Sequence, residues 1–82
     1  MQEYTITSEQ IRAARSVLCW STSELAERTG VGIATLKRYE AVTGVPKSRK
    51  GILDIIRKTF ESAGIEFIGT PDDAPGIRIH RK

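Results

Sequence analysis

A mainly α-helical domain, four helices followed by a C-terminal β-hairpin, is the fold class this sequence predicts, and three observations predict it. Apolar residues recur at helical spacing through four segments before residue 64. Hydroxyl caps and glycine stops bracket most of those segments. Beyond Gly64 the apolar period shortens towards alternation, the mark of strands, with both strands apolar on more than one face.

Thr7 or Ser8 caps a first helix over residues 8–18, with Ile11, Ala14 and Leu18 at i, i+3 and i+7 facing inward. Ser21, with Glu24 three residues on, reads as a capping box that opens a short second helix over 22–28, with Leu25 and Ala26 inward. Gly30 ends it, and Gly30-Val31-Gly32 makes a tight connection to a third helix over 33–41. On that helix Leu36 and Tyr39 share one face, leaving Ala34, Lys37, Arg38 and Ala41 directed elsewhere. Residues 42–48 form a loop, Ser48 caps a fourth helix over 49–63, and Ile52, Ile55, Ile56, Phe60 and Ala63 make its apolar stripe. The strands follow, Ile65 and Phe67 alternating with Glu66 and Ile68, then Ile77 and Ile79 with Arg78 and His80, around a seven-residue loop TPDDAPG.

With 82 residues the chain makes one domain whose small core gives modest stability, so a partner subunit would help. Its only cysteine, Cys19, precludes an internal disulfide, no Cys/His cluster has metal-ligand spacing, and no cofactor is expected. The N-terminus lacks the basic start and apolar run of a signal peptide, and no apolar stretch approaches the roughly 20 residues of a membrane span, so the expected location is cytoplasmic. The net charge of +3 is unevenly spread: residues 29–58 carry +5, and the segments on either side −1 each. A basic region suits a polyanion, because lysine and arginine neutralise phosphates and release counterions; a solvated basic surface is the competing reading. Enzymatic function has no support, since the acidic residues are scattered and the glycine-containing turn sits between helices rather than after a strand.

Two short helices joined by a glycine-containing turn, the second presenting polar residues, form the helix-turn-helix arrangement that places its second helix in the DNA major groove. The particular residues, Arg12, Arg15, Leu18, Trp20, Ser21, Glu24, Leu25, Ala26, Gly30, Val31, Thr35, Leu36, Tyr39 and Glu40 in their spacing, resemble the phage repressor and Cro family of regulators, also called XRE-type. The likeness spans residues 8–63. The sequence also looks like a subgroup whose fourth helix runs into AGxEF, here Ala63-Gly64-Ile65-Glu66-Phe67, and then PGxR, here Pro75-Gly76-Ile77-Arg78. It departs from the family at Cys19, where glycine is common, and at Gly32, where a serine cap is common.

The resemblance implies a regulator binding a double-stranded DNA operator, with residues 1–64 as the DNA-binding unit. Ile33, Ala34, Thr35, Lys37 and Arg38 then occupy base-reading positions. An arginine can bond bidentately to guanine and apolar groups can touch thymine methyls, which predicts a G near a T in the operator. Ile33 has core as its alternative. Ser21 and Thr22 match the family's phosphate clamp at a helix N-terminus, with a plain N-cap as the other role of Ser21. Lys47, Arg49 and Lys50 are candidates for flanking phosphates; Arg49 and Lys50 at a helix start oppose its dipole, a conflict that favours a functional reading. Arg15 and Glu40 match a pair used structurally between the first and third helices. Trp20 is read as core, Cys19 as an inert small residue, and the lone His80 carries no catalytic expectation.

One half-site buries too little surface for tight binding, so a homodimer on a pseudo-palindrome is expected. Residues 65–82 are the expected dimerisation element through Ile65, Phe67, Ile68, Ile77 and Ile79, with a hairpin capping its own core as the alternative. The rival function is a protein-binding module, an antitoxin or antiactivator whose main partner is another protein. Such capture usually employs a long disordered tail, which this chain lacks.

Overall fold

The computed structural model describes residues 5–49 and 51–81. Its first helix, α1 (Ser8–Val17), starts from a reciprocal cap: Thr7 Oγ1 accepts from the Gln10 amide at 3.1 Å, and Gln10 Oε1 accepts from the Thr7 amide at 2.8 Å. Two otherwise orphaned donors are thereby satisfied. The second helix, α2 (Thr22–Thr29), is capped in one direction only. Ser21 Oγ accepts from the Glu24 amide, but the Glu24 carboxylate pairs with Arg28 at 2.8 Å instead of returning to the cap. Gly30 closes α2 at φ 77°, a left-handed geometry that costs glycine no Cβ clash. The third helix, α3 (Ile33–Glu40), and the fourth, α4 (Ile52–Ser62), precede a hairpin of β1 (Ile65–Thr70) and β2 (Asp73–Ile79).

Three expectations are corrected. The fourth helix begins at Ile52 rather than residue 49, and Ser48 does not cap it: Gly51 stands at φ 90°, outside helical space, and forms the N-cap. Its buried face is Leu53, Ile56 and Phe60, at i, i+3 and i+7, while Ile55 is 43% exposed. The hairpin loop is not seven residues long, because β2 starts at Asp73 and only Pro71 and Asp72 lie between the strands. Positive φ at Gly69 (75°) and Ala74 (53°), with a register shift between Ile68 and Thr70, lets the strands pair almost to the tip.

The strands are antiparallel, with Ile65 opposite Ile79 and Phe67 opposite Ile77. Cross-strand partners share a face, so these four residues point to one side and Glu66 with Arg78 to the other. That apolar face lies on the helices, β1 against α4 and β2 against α1. Ile6, Ile11, Ala14, Leu25, Leu36, Tyr39, Ile56, Phe60 and Ile65 form a single core, with Phe67 and Ile77 packed on it. Each large side chain so buried contributes about 1.5–3 kcal/mol relative to exposure. Phe60 is its aromatic centre, stacked on Trp20 at 5.6 Å and edge-on to Phe67 at 6.0 Å.

Candidate nucleic-acid interface

The exposed face of α3 exists because its opposite face is fully used. Leu36 and Tyr39, three residues apart, are buried in the core. The 100° helical step then turns Ala34, Lys37 and Arg38 to solvent, and Ile33, 40% exposed, joins them; the core alternative for Ile33 does not hold. Thr35 is half-buried.

α1 fixes the C-terminal end of this helix. Ser8 Oγ donates to the Tyr39 carbonyl at 2.5 Å, and the Arg12 guanidinium donates to the Glu40 carbonyl and, at 3.4 Å, to that of Val42. Arg15 grips the Glu40 carboxylate from two nitrogens, Nη2 at 2.8 Å and Nε at 3.1 Å, and donates a further bond to the Trp20 carbonyl. Two cations at the end of α3, where helix carbonyls lack partners, also match its dipole. The loop beyond α3 is tied back as well: Ser8 donates its amide to the Gly44 carbonyl at 2.8 Å, and the Gly44 amide donates to the Glu9 carboxylate at 3.0 Å. Hydrogen bonds from the Glu9 and Gly44 backbones hold the Glu9 carboxyl below its usual pKa.

The other end of α3 is set by the turn. Thr29 Oγ1 donates to the Leu25 carbonyl and accepts from the Val31 amide at 3.1 Å, and Val31 is buried. The α3 N-cap, Gly32, has no side chain to bond the first amides of the helix. Ser21 and Thr22 open α2, about 12 Å of helix away from this turn. Ser21 accepts a bond but donates none among the described residues, so its hydroxyl proton is available to an anion.

Lys47 and Arg49 are exposed, and Lys50 lies outside the described residues. Arg49 precedes Gly51 and therefore stands outside α4, so the expected conflict with that helix's dipole does not arise for it. Arg38 and Arg49, eleven positions apart, line one cleft between the α2–α3 turn and the start of α4. Neither has an acidic partner among the described residues, whereas Arg15, Arg28, Arg57 and Arg78 each have one. Lys37, Lys47, Ser21 and Thr22 do not line this cleft.

Of the residues expected at a dimer interface, Ile65 is 2% exposed and committed to its own core, a correction to its expected role. Phe67 and Ile77 are partly buried against that core, Ile68 is half-buried, and Ile79 is 43% exposed. Sequence reasoning missed Gln10, whose side chain ties the hairpin to α1, although Thr7-x-x-Gln10 has the spacing of a capping box. It also missed that Arg38 and Arg49 line one cleft, which no local pattern signals.

Among the described residues no group of three or more His, Cys, Asp or Glu side chains is placed to hold a metal ion. No described helix is long and apolar enough to cross a membrane. The chain matches no family model and shows no significant match to a curated protein.

Proposed function

We propose that this protein is a sequence-specific DNA-binding transcriptional regulator of the repressor and Cro-like type. In this reading α3 enters the major groove with Arg38 and Lys37 reading base edges, while Ile33, Ala34 and Thr35 supply apolar and hydroxyl contacts. Ser21, Thr22, Lys47, Arg49 and Lys50 hold flanking phosphates and fix register without reading sequence. A homodimer places two copies of α3 on half-sites one helical turn apart. After Ile65 is withdrawn into the core, Ile68, Ile79 and the free strand edges of the hairpin remain as the surface for the second copy.

The observation that carries the reading is the division of α3. Its inner face is locked by Leu36, Tyr39 and the Ser8, Arg12 and Arg15 bonds, and its outer face offers two cations with no carboxylate paired to either. Rigid placement of the reading side chains is what base discrimination requires, since a bidentate contact tolerates little misorientation. Selection of bound duplexes from a random-sequence pool tests it. Enrichment of an inverted repeat with a half-site spacing of about 10 base pairs supports the proposal, and recovery of unrelated sequences counts against it.

A further inference from the structure

The cleft shared by Arg38 and Arg49 has a volume of about 460 Å³, and Val31, Thr35, Tyr39, Ile52 and Ile55 line it beside the two arginines. That size falls within the range of small-molecule sites. Four of its polar groups make no hydrogen bond or ion pair among the described residues, although the Arg38 guanidinium lies over the Tyr39 ring, 5.8 Å from its centre. Tyr39 is 2% exposed, yet its hydroxyl has no hydrogen-bond partner among the described residues. The Thr35 hydroxyl is likewise unpartnered among them, and neither guanidinium meets a carboxylate. The hydroxyl is open to solvent where Tyr39 lines the cleft, so a ligand there would replace water as its hydrogen-bond partner. Beside these groups, Val31, Ile52 and Ile55 give the cleft apolar walls that a bare phosphate would leave unused.

We propose that this cleft binds a small organic anion, a phosphate ester or carboxylate carrying a compact apolar body. The anionic head lies between Arg38 and Arg49 and accepts from the Tyr39 and Thr35 hydroxyls, and the body rests on Val31, Ile52 and Ile55. Bidentate guanidinium pairing suits either head. Regulation follows if the DNA-binding reading holds, and this step alone rests on it: a ligand that engages Arg38 removes that side chain from the groove, so the anion acts as an inducer.

The test is an amide NMR titration of the full chain, without DNA, using phenyl phosphate and benzoate as probes and inorganic phosphate and phenol as controls. The expected result is saturable shifts at Val31, Thr35, Tyr39, Ile52 and Ile55 with one or both probes, the tighter probe naming the head group. Each control should bind at least about tenfold more weakly, because it lacks one half of the ligand. Tyr39→Phe, which keeps the ring in the core, and Arg49→Gln, at an exposed position, should each weaken the tighter probe by about tenfold. The proposal is overturned if neither probe saturates, if inorganic phosphate binds as tightly as the probes, or if both variants bind like wild type. Release of a labelled operator by the tighter probe is then measured separately. A chain that titrates normally but binds no DNA contradicts the regulator reading and leaves the cleft assignment standing.

Discussion

Gln10 and Gly76 are 66 residues apart in the chain, and the Gln10 side-chain amide donates to the Gly76 carbonyl at 2.9 Å. The same nitrogen donates to the Ile68 carbonyl of the facing strand at 3.2 Å, beside the register shift. Gln10 Oε1 meanwhile accepts from the Thr7 amide, so one buried side chain caps α1 and clamps both strands of the hairpin to it. Gln10→Ala leaves one buried amide and two strand carbonyls short of a partner and opens a small cavity. It should destabilise the fold by about 2–4 kcal/mol in urea unfolding, with the hairpin losing amide-exchange protection first.

Arg15 and Glu40 form the ionic joint between α1 and α3, their side chains 26% and 9% exposed. Removing one partner strands the other charge in a half-buried site. Glu40→Ala is expected to cost about 2–4 kcal/mol, and an Arg15→Met, Glu40→Leu double variant should recover much of the loss. Thermal unfolding of wild type and both variants checks this; an unchanged melting point in Glu40→Ala refutes the structural role.

Glu66 accepts from His80 at 2.7 Å and from Arg78 at 3.3 Å on the outer face of the hairpin. The His80 hydrogen bond foremost, and the Arg78 charge with it, lower its pKa from the ordinary 4.5. A carboxyl lowered on folding contributes stability that is present above its unfolded pKa and disappears as the pH falls through the folded value. Below 4.5, therefore, wild type should lose a stabilisation that Glu66→Gln lacks, and their melting points should converge on acidification. Parallel melting curves recorded from neutral pH to about pH 3 test the convergence.

At Gly69 the backbone has φ 75°, and an added Cβ would sit 2.1 Å from the Ala74 carbonyl oxygen. Gly44, at φ 82°, has open space around the same position. Both alanine substitutions incur left-handed strain, but only one also drives atoms together. Gly44→Ala should cost about 1 kcal/mol and Gly69→Ala at least about 2, read by chemical denaturation.

The helices were legible in the sequence because their signals are local: caps at Thr7 and Ser21, stops at Gly30 and Gly64, and apolar spacing through Ile11, Ala14, Leu25, Leu36 and Tyr39. The start of α4 was not, because Ser48 carries a cap residue's chemistry while the left-handed geometry of Gly51 overrides it. Turn residues misled in the hairpin for a related reason. Pro75 and Gly76 suit a loop by composition, yet Pro75 lacks only a donor that an edge strand can spare, so β2 runs through both. The cleft was invisible because Tyr39 reads as core by spacing, and its unpartnered hydroxyl is a property of tertiary packing alone.

The proposed reading of DNA sequence by the exposed face of α3 is tested by fluorescence anisotropy, comparing wild type and Arg38→Ala on a selected operator and on a scrambled duplex across a salt series. The expected result is dimer stoichiometry, a steep salt slope, and a preference for the operator that Arg38→Ala reduces by about 10–100-fold, with weak affinity for scrambled DNA retained. Equal wild-type binding to both duplexes, or a preference untouched by Arg38→Ala, would contradict it.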